Sequence, residues 1–487
     1  MIPYPYIQFL PINYLAFFML NLLFSTIVIL LERKDPLAAL AWLFFMTLFP
    51  GVGFFFYLLL AQNISKRKIF KYTAEESRLY ASVLESQRRA LEGANYPFLH
   101  PETRDYEDLI LFHNRLSDSL FSQNNRVSFF FDGTEKFDRL FQDIREAKHH
   151  VHMLYYIIQG DSLGQKLFEL LGEKASQGVE VRLLVDHVGG RHLPRSRVAA
   201  LRAQGAEVCF FFPSWLRYFN LKGNYRNHRK ITVIDGEVGY VGGFNVGNEY
   251  LGLKRKFGYW RDTHLRIEGD AVIAMQLRFF LDWRNASRKG LTLSPAYLGS
   301  DRSTGDVAVQ IVSSGPDNIN QQIKQGYLKM VHRAVESIDI QTPYFIPDES
   351  ILEALRIAAS SGVRVRLMIP RMPDHIFIYW ATYSYAADLL PYGVEVYIYE
   401  KGFLHAKAIL VDRKACSIGS CNFDIRSFKL NFEANAFIYD RQASMAQALQ
   451  FEKDLLSCRR LTLEDYGNRP FVVKVKEAVS RLFSPLL

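Results

Sequence analysis

The chain of 487 residues is long enough for two or three domains, and its 49% of apolar residues allows a large buried core. With 59 basic and 50 acidic residues, the formal net charge of +9 suits an anionic partner, either nucleic acid or an acidic lipid surface, although a soluble basic protein without such a partner has the same balance. The cysteines form no C-x-x-C pair, which argues against a disulfide framework or a zinc site and fits a reducing compartment. They are Cys209, Cys416, Cys421 and Cys458.

Two long apolar stretches open the chain. No charged residue occurs from Ile12 to Leu31, and a second uncharged stretch runs from Pro36 to Ser65, after the charged residues 32–35. Each stretch reaches the length of about 20 residues that a helix needs to cross a bilayer. Residues 1–66 are therefore predicted to form a membrane anchor of two transmembrane helices. A cleavable signal peptide fits less well, because residues 1–13 contain no Lys or Arg and a second apolar stretch follows.

The residues around the second stretch predict its orientation and shape. Four basic residues follow it directly: Lys66, Arg67, Lys68 and Lys71. By the positive-inside rule, the C-terminal body then lies in the cytoplasm. Pro50 and Gly51 interrupt the second stretch, so its helix is expected to be kinked or re-entrant, and the sequence does not decide between the two. Residues 67–105 are predicted as a linker, with a polar helix from about Phe70 to Gly93.

The remaining body is predicted to consist of two pseudo-symmetric halves, residues 106–300 and 301–487. The first contains a strand at 150–158, a helix at 163–176 and a strand at 179–185; the second contains a strand at 338–346, a helix at 350–359 and a strand at 363–368. Residues 178–184 and 362–368 match almost letter for letter. Since a βαβ unit favours a parallel sheet covered by helices, the predicted fold class is α/β, with mixed, largely parallel sheets and an N-terminal transmembrane hairpin.

The same polar motif follows each βαβ unit. Residues 228–235 read HRKITVID and are followed by GGFN at 242–245; residues 405–412 read HAKAILVD and are followed by GSCN at 419–422. Both fit the pattern H-x-K-x4-D-x6-G-[GS]-x-N. One copy of H-x-K-x4-D arises easily by chance. Two copies with the same downstream asparagine, each behind a similar βαβ unit, are not a coincidence.

The residue types in the motifs suit phosphodiester chemistry. A histidine and a lysine two positions apart on a strand point to the same face, so two such strands meeting at a pseudo-two-fold axis would form one site. Lysine and asparagine donors would stabilise charge on the phosphate oxygens, while one imidazole attacks phosphorus and the other transfers protons. The residues gathered in this way are His228, Lys230, Asn245, His405, Lys407 and Asn422. No carboxylate-rich group typical of a magnesium or calcium site stands out, so neither a metal nor another cofactor is predicted.

Four acidic residues belong to this hypothesis. A catalytic imidazole needs a hydrogen-bond acceptor on its far ring nitrogen to fix its tautomer. Asp262 and Glu433, downstream of the two motifs, are predicted to orient the histidines, with ordinary surface ion pairs as the alternative. Asp235 and Asp412 complete the motifs and are grouped with the catalytic residues, yet each follows apolar strand residues and opens a turn, which favours a structural role.

The paired motifs resemble those of the phospholipase D superfamily, and the wider sequence resembles its bacterial cardiolipin synthases. The similarity covers essentially the whole chain. It includes the two apolar stretches with the break at 50–53, and the segments 132–137, 260–264, 341–347, 426–433 and 484–487. One departure lies at residues 247–250, where an acidic residue is expected before Glu249; it leaves the motifs intact.

The resemblance implies a phosphatidyltransferase. His228 would attack one phosphatidylglycerol at phosphorus, releasing glycerol and leaving a phosphatidyl-histidine; the terminal hydroxyl of a second phosphatidylglycerol would then displace the histidine and give cardiolipin. His405 would protonate the leaving glycerol and deprotonate the incoming hydroxyl, and Asn245 and Asn422 would bind the phosphate. The implied partners are phosphatidylglycerol and cardiolipin in the bacterial inner (plasma) membrane. The oligomeric state is left open, with a homodimer as one option.

Other functions remain as alternatives. A hydrolytic phospholipase D differs only in using water to resolve the intermediate, and a phosphatidylserine synthase uses the same chemistry. Nucleic-acid processing is less well supported, because no basic stripe is interleaved with exposed aromatic residues. A structural protein with a degenerate site is disfavoured by the intact motifs. At the C-terminus, residues 472–483 fit either an amphipathic surface helix or an ordinary packed helix.

Overall fold

The computed structural model describes residues 10–31, 36–60, 69–70, 72–213, 224–287, 291–299, 305–372 and 374–482. They divide into two compact units. The first unit comprises Met1–Ile64 and Ser214–Asn224, and the second comprises Ser65–Pro213 and Tyr225–Leu487. Both polar motifs belong to the second unit.

In its described residues, the first unit contains the helices α1 (Leu10–Leu31), α2 (Pro36–Leu48) and α3 (Val52–Leu60). The interruption expected in the second apolar stretch is present, because proline cannot continue the helix and Gly51 takes a φ of +76°. Helix α3 folds back on α2, so that the rings of Trp42 and Tyr57 lie 5.4 Å apart. The second stretch therefore forms two short helices.

Within the described ranges, no helix combines the length and hydropathy that crossing a bilayer requires. The predicted transmembrane hairpin is therefore not confirmed. The charged residues at 32–35 and the basic residues Lys66, Arg67, Lys68 and Lys71, on which the predicted orientation depends, lie outside the described residues.

The second unit begins with α4 (Ala74–Glu92), α5 (Pro101–Arg104) and α6 (Glu107–Ser117). Helix α4 confirms the helix expected between residues 70 and 93 and starts at a capping box formed by Thr73 and Glu76. It packs on α6, where Arg88 Nε donates to Asn114 Oδ1 at 3.1 Å. The side-chain amide of Gln87 also donates a hydrogen bond to the carbonyl oxygen of Phe121 and accepts one from its backbone N–H. The segment predicted as a linker is thus part of the folded unit.

The elements of the two halves follow one another in a repeated order. The first half contains β1 (Phe121–Phe130), α7 (Gly133–Glu146), β2 (His150–Tyr155), α8 (Ser162–Ser176), β3 (Glu180–Asp186), α9 (Arg195–Ala203), β4 (Glu207–Phe211), β5 (Arg226–Asn227), β6 (Ile231–Ile234), β7 (Val238–Gly242), β8 (Tyr259–Arg261), β9 (His264–Gly269) and α10 (Ala271–Ser287). The second half contains β10 (Val307–Ser314), α11 (Gln322–Arg333), β11 (Ser337–Gln341), β12 (Phe345–Ile346), α12 (Glu349–Ser360), β13 (Arg364–Pro370), α13 (Ile376–Ala387), β14 (Glu395–Tyr399), β15 (Gly402–Leu404), β16 (Ala408–Val411), β17 (Ala415–Gly419), β18 (Phe423–Asp424), α14 (Ile425–Lys429), β19 (Asn431–Ile438), α15 (Arg441–Leu455), β20 (Cys458–Leu461), α16 (Leu463–Gly467) and α17 (Phe471–Leu482).

One continuous sheet joins the halves. Its strand order is β4-β3-β2-β6-β7-β9-β1 in the first half, continued by β10-β19-β17-β16-β11-β13-β14-β20 in the second. The central strands β1 and β10 pair antiparallel, and the order of strands outward from them is the same in both halves apart from the added β20. A pseudo-two-fold axis therefore passes between β1 and β10. Each half also has its own apolar core between its helices and its strands.

The predicted βαβ units are confirmed, since β2 pairs parallel with β3 and β11 pairs parallel with β13. The prediction of a largely parallel sheet is wrong: in the described part of the sheet, most neighbouring strands pair antiparallel. The reason is that each motif strand continues into a tight hairpin, β6–β7 and β16–β17. The hairpin turns have positive φ values at Asp235 (+54°) and Gly236 (+69°), and at Asp412 (+52°) and Arg413 (+55°).

Candidate active site

The two H-x-K segments lie at the start of strands β6 and β16. They were expected on the strands themselves, but each occupies the extended segment just before its strand. The reason is a backbone bond to the opposite half: His228 N donates to Phe432 O at 2.9 Å, and His405 N donates to Arg261 O at 2.7 Å. Short parallel pairings of β5 with β19 and of β15 with β8 flank these bonds. Each motif is therefore attached to the other half.

The orienting carboxylates are exchanged between the halves. His228 Nδ1 lies 3.0 Å from both carboxylate oxygens of Glu433, which belongs to the second half. His405 Nδ1 lies 2.6 Å from Asp262 Oδ2, which belongs to the first half. Because an ionised carboxylate only accepts hydrogen bonds, each Nδ1 carries the proton and each Nε2 presents its lone pair. The predicted acidic residues thus contact the histidines, each pair with one member from each half.

Burial and charge decide the protonation of these groups. Burial lowers the pKa of His228, with Glu433 opposing the shift, and burial together with Lys407 lowers the pKa of His405 to about 4. Burial raises the pKa of the two carboxyl groups, but neighbouring cations outweigh it and both pKa values fall below normal: His228 acts on Glu433, and Lys407 and His405 act on Asp262. At neutral pH the site therefore holds two carboxylates and two neutral imidazoles.

The two lysines lie fully buried beside the histidines. Lys230 Nζ donates to the carbonyl oxygen of His228 at 2.6 Å, and Lys407 Nζ donates to that of His405. Because an ammonium group has three donors, each lysine keeps donors for an incoming anion. Burial lowers the pKa of Lys230 to about 7 and that of Lys407 to about 8. The charge of Lys407 also lowers the pKa of Lys230, so the two motifs meet in one site.

The predicted phosphate-binding asparagines have protein partners in this structure. Asn245 Oδ1 accepts from Ile157 N at 3.1 Å, and its Nδ2 donates to Tyr250 Oη at 3.2 Å. Asn422 Nδ2 donates to Asp424 Oδ2 at 3.1 Å. Phosphate binding by Asn245 and Asn422 therefore stays a prediction.

The motif aspartates have a structural role in the described contacts. Asp235 accepts from the backbone N–H groups of residues 148, 149 and 150, each at 2.8 Å, and Asp412 accepts from those of residues 335, 336 and 337. Both carboxylates thereby fix the chain at the entry to β2 and β11. They lie at the opposite end of the motif strands from the histidines. These contacts support the structural interpretation, and the grouping of Asp235 and Asp412 with the catalytic residues stays a prediction.

Aromatic rings and one hydroxyl were missed by the sequence reasoning. The ring of Tyr156 lies 4.9 Å from that of His228, and the ring of Trp260 lies 5.0 Å from that of His405. Ser420 donates its hydroxyl to Glu433, whereas the equivalent Gly243 stands so close to Asp262 that a Cβ would collide with the carboxylate. The sequence offered one sign of this difference, since the equivalent position is Gly243 in the first motif and Ser420 in the second. The two carboxylates therefore have different surroundings.

Among the described residues, no group of three or more His, Cys, Asp or Glu side chains is placed to hold a metal ion.

Comparison with known proteins places this arrangement in a family. The family model "Cardiolipin synthase, PLD-like domain" matches residues 140–260 and 327–455, one segment in each half, and the model "Phospholipase_D-nuclease N-terminal" matches residues 20–62. The chain is 49% identical over 472 residues to the major cardiolipin synthase ClsA of Bacillus subtilis, a match that covers 97% of this chain and 98% of that protein. The chain belongs to the cardiolipin synthase family with PLD-like domains.

Other relatives agree with this assignment. The cardiolipin synthase of Oceanobacillus iheyensis is 48% identical over 471 residues, covering 96% of this chain and 98% of that protein. The crystal structure of the phosphatidylserine synthase of Haemophilus influenzae matches with a TM-score of 0.59 at 16% identity, covering 78% of this chain and all of that chain. At that identity, the match concerns the fold. The two PLD-like halves of this α/β body are the architecture of the family.

Proposed function

We propose that this enzyme is a cardiolipin synthase that transfers a phosphatidyl group from one phosphatidylglycerol to another, with glycerol as the second product. The observation that carries the proposal is the pair of buried histidines, each held by a carboxylate of the opposite half, in a chain 46–49% identical to proteins named cardiolipin synthase. Transfer between two phosphodiesters needs no change in oxidation state and no activated donor.

The first step forms a covalent intermediate at His228. Its Nε2 attacks phosphorus of the first phosphatidylglycerol, and the P–O bond to glycerol breaks as the new P–N bond forms. His405, protonated at Nε2, gives its proton to the departing glycerol oxygen. The anionic phosphate that enters the site favours this protonation, although burial keeps the pKa of free His405 at about 4.

The second step releases the product. The terminal hydroxyl of a second phosphatidylglycerol gives its proton to the now neutral His405 and attacks phosphorus, and the P–N bond to His228 breaks. Cardiolipin leaves, and both imidazoles return to their starting states. Exclusion of water during this interval decides between transfer and hydrolysis.

The remaining site residues act on charge and orientation. Lys230 and Lys407, both fully buried, stabilise the charge that develops on the non-bridging oxygens. Glu433 and Asp262 hold the two imidazoles in the reactive tautomer and stabilise each when it becomes cationic. The side-chain amides of Asn245 and Asn422 give up their present hydrogen bonds and donate to the phosphate oxygens instead.

Because the proposed substrates are lipids, the enzyme acts at a bacterial membrane. The match of residues 20–62 to the N-terminal family model is consistent with this location. We further propose the organisation given by the sequence, with an N-terminal anchor in residues 1–66 and a cytoplasmic body divided near residue 300. Tethering the site to the bilayer raises the local concentration of a substrate that never leaves it.

Purified enzyme incubated with phosphatidylglycerol alone, in detergent–lipid micelles containing EDTA, tests the proposal. Mass spectrometry is expected to detect cardiolipin and an equal amount of free glycerol, and His228→Ala is expected to abolish both. Phosphatidic acid as the main product would identify a hydrolytic phospholipase D instead. A requirement for added serine and a different donor would identify a phosphatidylserine synthase.

A further inference from the structure

The C-terminal helix α17 exposes its apolar side. Its most exposed apolar residues include Phe471, at 78%, and Leu482, at 77%. Together with Ile376 at the start of α13, which is 67% exposed, the exposed apolar residues of α17 form a surface that we call the terminal apolar face. It consists of Ile376, Phe471, Val472, Val475, Val479 and Leu482.

Polar contacts attach α17 to the body. Glu477 is buried and accepts from Arg469 Nε at 2.9 Å and from Tyr466 Oη at 3.1 Å, and Ser480 is buried beside it. Arg481 forms an ion pair of 2.5 Å with Asp388. A surface helix of a soluble protein normally turns its apolar side inward and its polar side outward. In α17 this arrangement is reversed, so the exposed side is suited to an apolar partner.

The terminal apolar face lies at the same edge of the sheet as the catalytic histidines. Helix α17 runs alongside α13 in the same direction, since Lys476 Nζ lies 5.3 Å from the ring centre of Trp380 and the Arg481 guanidinium lies 4.3 Å from that of Tyr385. The Phe471 end of α17 therefore lies toward the start of α13. Helix α13 follows the carboxyl end of β13, where its Thr382 Oγ1 accepts from Phe345 N at 3.1 Å.

That edge also contains the second motif. Strand β16 runs antiparallel to β11, so His405, just before β16, lies at the carboxyl edge of β11 and β13. Tyr344, which follows β11, donates its hydroxyl to Asp374, two residues before α13. The terminal apolar face and the site thus belong to one side of the catalytic unit.

The exposed charged residues of α17 itself are basic. Lys474 and Lys476 are exposed on α17, whereas its one acidic residue, Glu477, is buried and paired with Arg469. An exposed apolar stripe flanked by lysines is the pattern of helices that lie in the headgroup region of anionic membranes. A second copy of the chain would be a less suitable partner, because it would bring the same lysines together.

We propose that the terminal apolar face inserts into the headgroup boundary of an anionic phospholipid bilayer and thereby presents the active-site edge to the membrane. This contact is separate from any membrane contact of residues 1–66. The proposal rests on the proposed function only in that it supplies the lipid substrate; the membrane contact itself is measured independently of catalysis.

The first experiment measures insertion directly in the full-length enzyme. Cys209 and Cys458, the partly exposed cysteines, are replaced by serine, and an environment-sensitive fluorophore is attached at Val479→Cys. In vesicles of phosphatidylglycerol and phosphatidylethanolamine, lipids carrying a quencher near the headgroup are expected to lower its emission at least about twofold. A matched label at Leu449→Cys, which replaces an apolar residue 65% exposed on α15, should be unaffected. Equal quenching at both positions, or none at Val479→Cys, overturns the proposal.

The second experiment separates membrane contact from chemistry. The variant F471S/V475S/V479S is expected to form cardiolipin on vesicles about tenfold more slowly, because it loses the apolar area that the three side chains would bury in the bilayer. It is expected to retain its rate on short-chain phosphatidylglycerol dissolved as monomers. The control I357S/L449S, which replaces exposed apolar residues elsewhere, should keep both rates. Equal loss on both substrates, or vesicle-independent cross-linking of two copies through Val479→Cys, contradicts the lipid assignment. If the unmodified enzyme makes no cardiolipin from either substrate, the proposed function fails, while the quenching result still tests the membrane contact.

Discussion

Replacing Glu433 by glutamine tests the exchanged carboxylates with almost no change in side-chain size. Glu433 is fully buried and accepts hydrogen bonds from His228 Nδ1 at 3.0 Å, from the Asn431 amide at 3.2 Å and from the Ser420 hydroxyl. In Glu433→Gln, one oxygen acceptor becomes an N–H donor that faces existing donors. The variant therefore loses the charge that stabilises a cationic His228 and leaves one buried donor without an acceptor.

The expected loss follows from the type of bond. A hydrogen bond to a charged group contributes about 1.5–3 kcal/mol, which corresponds to a fall of roughly 10- to 150-fold in kcat/KM for phosphatidylglycerol. Asp262→Asn is the matched variant, because Asp262 holds His405 at 2.6 Å in the equivalent position. Both variants should lose activity on phosphatidylglycerol to a similar extent.

A substrate with an activated leaving group separates the two roles. The p-nitrophenyl ester of phosphatidic acid releases p-nitrophenolate without needing a proton from His405. The initial burst of p-nitrophenolate is therefore expected to recover in Asp262→Asn and to stay slow in Glu433→Gln. Recovery in Glu433→Gln alone would make His405 the nucleophile. A loss below about threefold in either variant on phosphatidylglycerol would refute the orienting role of that carboxylate.

Three further results are expected. Arg229→Met should lower stability by about 2 kcal/mol, seen as a lower Tm, because Asp282 then loses its buried ion pair of 2.9 Å with Arg229 while keeping the one with Arg278; an unchanged Tm would contradict this. Since burial brings the pKa of Lys230 to about 7 and of Lys407 to about 8, kcat/KM should fall as the pH rises above about 7, first as Lys230 and then as Lys407 loses its ammonium charge; a flat alkaline limb in the pH profile would oppose this assignment. Burial lowers the pKa of His150 to about 3 in the folded protein, so the unfolded chain binds a proton at this residue more readily. The contribution of His150 to stability is therefore complete above pH 6.5 and is lost as the pH falls from 6.5 toward 3. The Tm of His150→Gln should decline less steeply over that range, and a parallel decline would exclude His150 as the cause.

Local patterns in the sequence were sufficient to predict the βαβ units and the composition of the site. The apolar strand at residues 179–185 appears as β3, Glu180–Asp186, and the helix at 163–176 appears as α8, Ser162–Ser176. In both cases the period of the apolar residues and the flanking turn residues define the element locally. The matching spacing of the two motifs likewise identifies His228 and His405 as a pair from the sequence alone.

The exchange of carboxylates could not be predicted from local patterns. It depends on backbone pairing between segments far apart in the chain, such as β5 with β19 at residues 226–227 and 431–432. The relative direction of the strands was also predicted wrongly. The hairpins that turn at Asp235 and Asp412 add antiparallel strands, which the βαβ pattern does not reveal. The packing of α4 on α6 was missed for a similar reason, since a polar helix with few apolar residues resembles a free linker.

The most direct test of the two-histidine account is to trap the covalent intermediate. His405→Ala incubated with the p-nitrophenyl ester of phosphatidic acid should form the intermediate without a general acid and then stall without a base for the second step. Digestion under alkaline conditions and mass spectrometry are expected to find a phosphatidyl group on the peptide that contains His228. An adduct on another residue, or rapid turnover with no adduct at all, would contradict the account.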